Sequence, residues 1–344
     1  VRGDLPCGLQ LGDPAAFEAT RRKRGKGWTF HDLASGRRLR DARTLNRLRT
    51  IGVPATWTDV RLSLNPRSHI QAAGYDGSGK LQYLYHEDFL EYRNQVKFGE
   101  LPIFGTALPR MRRRIARDLR GDRWNENRLM ALLVRILDRY HLRVGSRLYA
   151  TGNNTFGLTT LRKKHLKEHA TDLAFDYIAK GGKRLQVPLT DPRLIALIRE
   201  VAEFPGWELF SIDSGGERIT ADAQRVNDYI RRISGEDFTA RTFRTWAGTV
   251  LCVKHIEPAR RAVRENPQRQ LAAALTERVA ERLGNTPAVC RQYYMHPDVL
   301  EAVLRNGFDP APSDRSLPGR SLYRVHERRT MEILGERGQA AGTD

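Results

Sequence analysis

Along the chain, the spacing of apolar residues changes near residue 98. Before it, short stretches alternate apolar and polar positions, the period of half-buried strands. "KGWTFHDLASGRRLRD" (26–41) reads as strand, glycine-containing turn and strand. "HIQAAGYD" (69–76) and "KLQYLYH" (80–86) flank the turn "DGSG" and predict a hairpin. Its alternation puts Tyr83 and Tyr85 on one sheet face. "DARTLNRLRTIG" (41–52) predicts a short helix with Asp41 as N-cap and Gly52 as stop. Asp88 is placed to cap the helix that follows. Residues 1 to about 20 read as a poorly ordered terminus, as chain ends often are. Residues 21–98 read as a small β-rich domain, with "GELPIFGTALP" (99–109) as the crossing into a second one.

From "ALPRMRRRIARDLRG" (107–121) onward the period is helical. "RWNENRLMALLVRILDRYH" (123–141) sets Leu129, Leu132, Leu133, Ile136 and Leu137 on one stripe. Helix gives way at "RVGSRLY" (143–149), and "TFGLTTL" (155–161), "TDLAFDYIAK" (171–180) and "KRLQVPL" (183–189) read as three strands. "LTDPRLIALIREVAEF" (189–204) restarts helix, with Asp191 and Pro192 in cap and first-turn positions. "SGEDFTARTFRTWAGTVLCVKHI" (234–256) is a further helix starting near Asp237 or Thr239. The second domain spans 99–310, and 311–344 reads as a helix with a loose tail. The fold class is α+β: a small N-terminal antiparallel sheet domain with helices, and a larger, mostly α-helical domain carrying a small three-stranded sheet.

Charge changes the picture more than composition does. The chain has 344 residues with 59 Lys and Arg against 40 Asp and Glu, a net charge of +19. Nucleic acid is the commonest partner for such a balance. The competing interpretation is a cationic surface kept for solubility. No apolar run is long enough to span a bilayer and no amphipathic anchor stands out, so a membrane partner is not expected. The first residues lack the apolar core of a signal peptide. Cys7, Cys252 and Cys290 are far apart and odd in number, which suits neither a disulfide framework nor a zinc site. Reduced thiols in a cytoplasm fit them.

Familiar catalytic patterns are missing. There is no HExxH, paired-Cys spacing, GxxxxGK[ST] loop, dinucleotide-binding glycine frame or GxSxG elbow. What remains is a set of cations and the pair Tyr293–Tyr294 in "LGNTPAVCRQYYMHP" (283–297). A tyrosine that cuts DNA has definite needs. Phenol has a pKa of about 10, so ionising it at neutral pH costs roughly 4 kcal/mol. Guanidinium groups reduce that cost and stabilise charge on a phosphorane-like transition state. A lysine on a fixed turn can protonate the leaving 5′-oxygen. Such chemistry needs no metal and no ATP.

Candidates for each part occur in order: "HLRVGSRLYATGNNTFGLTTLRKKHL" (141–166), "YIAKGGKRLQV" (177–187), "FTARTFRTWAGTVL" (238–251), then the tyrosine pair. The succession closely resembles the small type IB DNA topoisomerases of poxviruses and bacteria. The resemblance extends to "RRKRGKGWTF" (21–30), "VPATWTDVRL" (53–62), the hairpin and "FGTALPRMRR" (104–113), and covers roughly residues 20–305. It implies a tyrosine recombinase/topoisomerase IB-like fold and a clamp on double-stranded DNA. It implies that Arg143 of "LRVG" and Arg244 of "TFRTW" bind the scissile phosphate, with Arg241 in support. It makes Lys180 of "IAKGGK" the general acid and Tyr294, before Met-His-Pro, the nucleophile, leaving Tyr293 to packing or DNA contact. Nine residues before Tyr294, where the viral enzymes carry His, stands Asn285, which can only hydrogen-bond. Gln82, Tyr83 and Tyr85 resemble a DNA-contacting strand, and Lys163 and Lys164 of "LRKKHLKEH" a phosphate-binding stretch.

Each residue alone has a plainer explanation: Arg143 as a solvated helix-end charge, Lys180 as an exposed turn residue, Arg244 as a snorkelling surface side chain. Their ordered conjunction favours the catalytic one. A tyrosine recombinase is the first rival, but its usual His-x-x-Arg box is here Arg241-Thr-Phe-Arg244. A non-catalytic DNA-binding protein is the second, and the intact Arg, Lys, Arg, Tyr series argues against it. The expectation is a monomeric, cofactor-free type IB topoisomerase, cytoplasmic and associated with the nucleoid of a bacterium.

Overall fold

The computed structural model describes residues 5–77, 79–169, 172–311 and 324–340. The chain divides into two compact units, Val1–Lys97 and Phe98–Asp344.

In the first unit, β1 (Ala19–Arg24), β2 (Gly27–Asp32), β3 (Thr58–Leu62), β4 (Ile70–Tyr75) and β5 (Leu81–Tyr85) form one antiparallel sheet in the order β2-β1-β3-β4-β5. Ala19, Phe30, Val60, Leu62 and Ala72 bury its inner face against Leu48 of α1 (Ala42–Thr50). Asp41 caps α1 by accepting the Thr44 N–H at 2.7 Å. The expected hairpin is β4–β5, with Ala73 opposite Tyr83; Ser78 of its turn lies outside the described residues.

Three expectations are corrected here. Residues 9–20 are ordered: Gln10 bridges Ser68, the Gly12 N–H donates to His69 Nδ1 at 2.9 Å, and Phe17 and Ala19 are buried. The alternation of a strand is hard to see in "ATRRKR" because its polar face is an unbroken run of cations. Second, β2 pairs with this upstream strand, and only His31–Arg38 bridges to the segment after it. Third, α2 (Glu87–Gly99) is capped by His86 Nδ1, which accepts the Asp88 N–H at 3.2 Å, so Asp88 sits inside the first turn.

In the second unit the expected crossing segment is helix. α3 (Leu101–Asp118) contains Pro109 and packs on α4 (Glu126–Tyr140), whose Leu129, Leu132, Leu133, Ile136 and Leu137 are all buried. After α5 (Arg147–Gly152), β6 (Leu166–His169), β7 (Asp172–Ile178) and β8 (Arg184–Leu189) form a three-stranded antiparallel sheet. "TFGLTTL" is not its first strand; it turns through a short 3-10 helix at Leu158–Thr160, and "LKEH" supplies the strand instead. Then come α6 (Pro192–Glu203), capped by Asp191, the hairpin β9 (Ser211–Ser214) and β10 (Glu217–Thr220), and α7 (Ala223–Ser234). The long α8 (Ala240–Glu265) starts at Thr239 in a capping box with Thr242. It packs against α9 (Leu271–Leu283), α11 (Pro297–Leu304) and α12 (Val325–Ala340), while α10 (Pro287–Tyr293) packs on α9.

A helix does form in the expected C-terminal segment, α12. Glu327, Thr330, Ile333 and Leu334 of α12 are buried in this unit. Residues 1–4, 312–323 and 341–344, part of the expected tails, lie outside the described residues.

Candidate active site

The site is organised by the C-terminal end of α9. Gly284 there takes a left-handed conformation (φ 61°), ending the helix and leaving its last carbonyls unused by the backbone. Arg244 Nη2 donates to the Leu283 carbonyl at 2.8 Å, and Arg143 Nη2 donates to the Gly284 carbonyl at 3.2 Å. The partial negative charge of a helix C-terminus offsets the repulsion between the two guanidiniums and fixes their separation.

Each arginine is also held from a second side. Arg143 follows the end of α4 by way of His141, itself left-handed (φ 57°), whose carbonyl accepts Arg244 Nη1. The Arg143 carbonyl accepts the Leu158 N–H at 2.8 Å, and Arg143 Nη2 donates to Asn285 Oδ1. Asn285 Nδ2, Arg143 Nη1 and Arg244 Nε are buried without an acceptor in hydrogen-bond geometry, although Asn285 is near enough to the Cys290 thiol to oppose the rise that burial gives the thiol's pKa. Buried donors without partners are costly, and are well suited to an anionic ligand.

Tyr294 stands beside this cluster. It ends α10, which Thr286 caps and Pro287 starts, and its N–H donates to the Cys290 carbonyl at 2.9 Å. The Arg244 guanidinium carbon lies 5.3 Å from the centre of its ring. Burial, first of all, pulls the Arg244 pKa below its usual value; the Tyr294 phenol opposes this and Arg143 adds to it. Tyr294 is half-buried, whereas Tyr293 points outward at 38% exposure. The pair therefore divides: one ring lies beside Arg244 and the other is exposed.

Gly248 makes this placement possible. It lies one turn after Arg244 on α8, and a Cβ there would sit 2.3 Å from the Tyr294 carbonyl oxygen and 2.9 Å from the Tyr294 Cβ. Thr249 Oγ1 accepts the His296 N–H at 3.2 Å, tying the next residues to the same helix. Gly248→Ala is expected to displace Tyr294 and slow formation of a covalent DNA complex by about 10²-fold, the usual cost of a misplaced reacting group. Single-turnover cleavage measured beside equilibrium DNA binding checks this; a variant that cleaves at the wild-type rate would refute it.

Lys180 lies at the tip of the β7–β8 hairpin and is exposed. The Gly182 N–H donates to the Ala179 carbonyl at 3.1 Å, and Gly181 (φ 85°) and Gly182 (φ 74°) take the conformations this tight turn requires. Tyr177 and Ala179 of the same hairpin line a cleft of about 600 Å³ together with Arg143 and Arg244. Burial pushes the Tyr177 phenol up to about 12, although both arginines oppose it.

The other sequence candidates are placed differently. Arg241 is exposed in the first turn of α8. Lys163 Nζ donates to the Phe204 carbonyl, so its charge is engaged by the protein itself, while Lys164 is exposed. In the first unit Tyr83 and Tyr85 do share a face, their rings 6.3 Å apart. Tyr83 is 38% exposed, whereas Tyr85 packs on Phe89 at 5.5 Å, and Gln82 Nε2 donates to Asp76 at 2.7 Å. Among the described residues no group of three His, Cys, Asp or Glu could hold a metal ion, and no helix is long and apolar enough to cross a membrane.

Sequence reasoning missed His141, Tyr177, Gly248 and the α9 carbonyls. Only Gly248 left a signal, a glycine inside a strongly helical pattern one turn from Arg244. His141 has an acid-stability consequence. Burial holds its imidazole down to about 4, helped by Arg324, Arg244 and Lys254 and opposed by Asp138; burial does the same to His255. A base with a depressed folded pKa stabilises the fold above its unfolded value of 6.5, and that contribution is lost as pH falls through about 4. Melting temperature should therefore be flat above that window and fall within it. His141→Asn, which tolerates the left-handed turn, should reduce the fall, and an unchanged profile would contradict the assignment.

The family model described as the catalytic core of eukaryotic DNA topoisomerase I matches residues 86–306, and that for the N-terminal domain of bacterial DNA topoisomerase IB matches residues 27–76. The chain belongs to the type IB DNA topoisomerases. DNA topoisomerase 1B of Acanthamoeba polyphaga mimivirus is 29% identical over 306 residues, covering 86% of this chain and 90% of the viral one. DNA topoisomerase 1B of vaccinia virus (strain Copenhagen) is 23% identical over 241 residues, covering 68% and 73%. A solved structure of the XerH site-specific recombinase in a post-cleavage complex aligns with a TM-score of 0.35 and 18% identity over 65% of this chain and 56% of that one. The expectations of an α+β fold and of a DNA topoisomerase are borne out. In this topoisomerase the N-terminal match lies within the first unit, and the catalytic-core match begins at residue 86, near the end of that unit, and covers most of the second.

Proposed function

We propose that this topoisomerase relaxes supercoiled duplex DNA by transient single-strand cleavage at Tyr294. The Tyr294 phenol gives up its proton to solvent as its oxygen attacks a backbone phosphorus, a phosphorus–oxygen bond forms, and the bond to the 5′-oxygen breaks. Lys180 supplies the proton to the departing 5′-hydroxyl. Arg143 and Arg244 hold the non-bridging oxygens and stabilise their developing charge, and Asn285 donates its free Nδ2 hydrogen bond to one of them. The cut strand swivels, then the 5′-hydroxyl attacks the 3′-phosphotyrosine and reseals it. The covalent link conserves the phosphodiester, so the cycle needs neither ATP nor metal. We further propose that it acts as a monomer on DNA in a cytoplasm.

The observation that carries this reading is the convergence of Arg143, Arg244, Asn285 and Tyr294 on the end of α9, with three buried donor nitrogens lacking acceptors. Arg241 and Lys164 are exposed and available for flanking phosphates. The test is relaxation of a negatively supercoiled plasmid in EDTA without nucleotide. Relaxed topoisomers are expected, and DNA affinity should fall with salt at a slope of about −0.9 per phosphate neutralised. Failure to relax under any salt would overturn the reading, and strand exchange between two sites would favour the recombinase instead.

A further inference from the structure

The cleft reached by Arg143 and Arg244 extends well beyond what cleavage of DNA uses. Tyr294, Lys180 and Asn285 are not among its lining residues. Arg139 from the last turn of α4, Lys254 from α8 and Arg282 from the last turn of α9 are. All three are exposed, and among the described residues their side chains make no hydrogen bond and no ion pair, whereas the exposed Arg184 and Arg199 of this unit do. They are close enough to oppose one another: burial lowers the Lys254 pKa, and repulsion from Arg282, Arg324 and Arg139 lowers it further. The lining includes a single carboxylate, Glu281, and it is unpaired too. The volume of about 600 Å³ is that of a small-molecule site.

We propose that this cleft binds a small polyanion, a short inorganic oligophosphate, between Arg139, Lys254 and Arg282. Three cations from three helices surround a space that a chain of linked phosphates fills. Each phosphate replaces a repulsive cation–cation contact with charge-assisted hydrogen bonds. Arg143 and Arg244 line the same cleft, so a bound oligophosphate competes for the residues that hold the scissile phosphate. Binding itself does not depend on the reaction proposed above; only this inhibitory consequence does.

Linked phosphates could also come from the DNA backbone, and the experiment separates the two sources. Sodium triphosphate is titrated by calorimetry into the whole protein without DNA, at constant ionic strength, with sulfate as control. Saturable binding at one site per chain is expected. It should weaken at least ~10-fold in Lys254→Ala/Arg282→Ala and in Arg282→Glu, while duplex affinity of these variants stays within ~2-fold of wild type. Arg40→Ala/Arg43→Ala, in the first unit, should bind triphosphate normally. Equal binding to all variants, or none to wild type, would overturn the proposal. So would a loss of duplex affinity matching the loss of triphosphate affinity, because the cleft would then be part of the DNA track. Independently of plasmid relaxation, the calorimetric result stands or falls by itself.

Discussion

Tyr294→Phe is expected to lower the rate of covalent complex formation with duplex DNA by more than ~10⁴-fold, as removal of a nucleophile does, with little change in binding. The ring and its contact with Arg244 are kept, so the fold and the arginine cluster stay as they are. Only the hydroxyl is lost. Tyr293→Phe is the matched control: its side chain is exposed, so cleavage should continue at close to the wild-type rate. Trapping the protein–DNA adduct on a denaturing gel reads both variants directly. Cleavage surviving in Tyr294→Phe but not in Tyr293→Phe would transfer the role to the neighbour and contradict the geometry around α9.

The largest effect on stability is expected at Arg112. Its Nε and Nη2 donate to Asp138 at 3.0 and 2.7 Å, and its Nη1 and Nη2 donate to Glu327 at 2.8 and 2.7 Å. All three residues are buried. Burial alone would raise the Asp138 pKa, but Arg112, with Arg324 and Arg135, outweighs it and holds the carboxyl at about 2. Arg112→Ala leaves two carboxylates buried without their principal partner, a change that costs about 3–5 kcal/mol. Against a typical total of about 5–15 kcal/mol, that should shift the urea midpoint of the second unit strongly downward. Replacing all three residues with apolar ones of similar volume should be better tolerated than the single change. A single variant within about 1 kcal/mol of wild type would show that the network is not fully desolvated. Because α12 contributes Glu327, loss of this network should also release the chain's last helix from α3 and α4.

Much of this could be read from residue order because it is local. Asp41 and Asp191 cap the helices they precede, and the α4 stripe is buried as its period requires. These features depend on neighbours a few positions apart, which sequence displays directly. The proposed catalytic set was legible in another way: its members are weak signals singly, and only the order of motifs across two domains points to them. Misreadings occurred where pairing partners are distant or charge hides a pattern. The strand "ATRRKR" starts inside what reads as a poorly ordered terminus, "TFGLTTL" looks like a strand, and the Arg112 network joins residues whose partners are remote in the chain.

By itself, then, the sequence determined the local elements, the basic character and the inventory of reactive groups, since each follows from composition or short-range spacing. Tertiary structure decided which tyrosine faces the arginines, which carbonyls separate those arginines and which lysine is consumed by a backbone oxygen. It also gathered Arg139, Lys254 and Arg282 around one cleft. Such outcomes depend on how helix ends and faces meet in space, and no spacing along the chain encodes that separately from the packing of the whole unit.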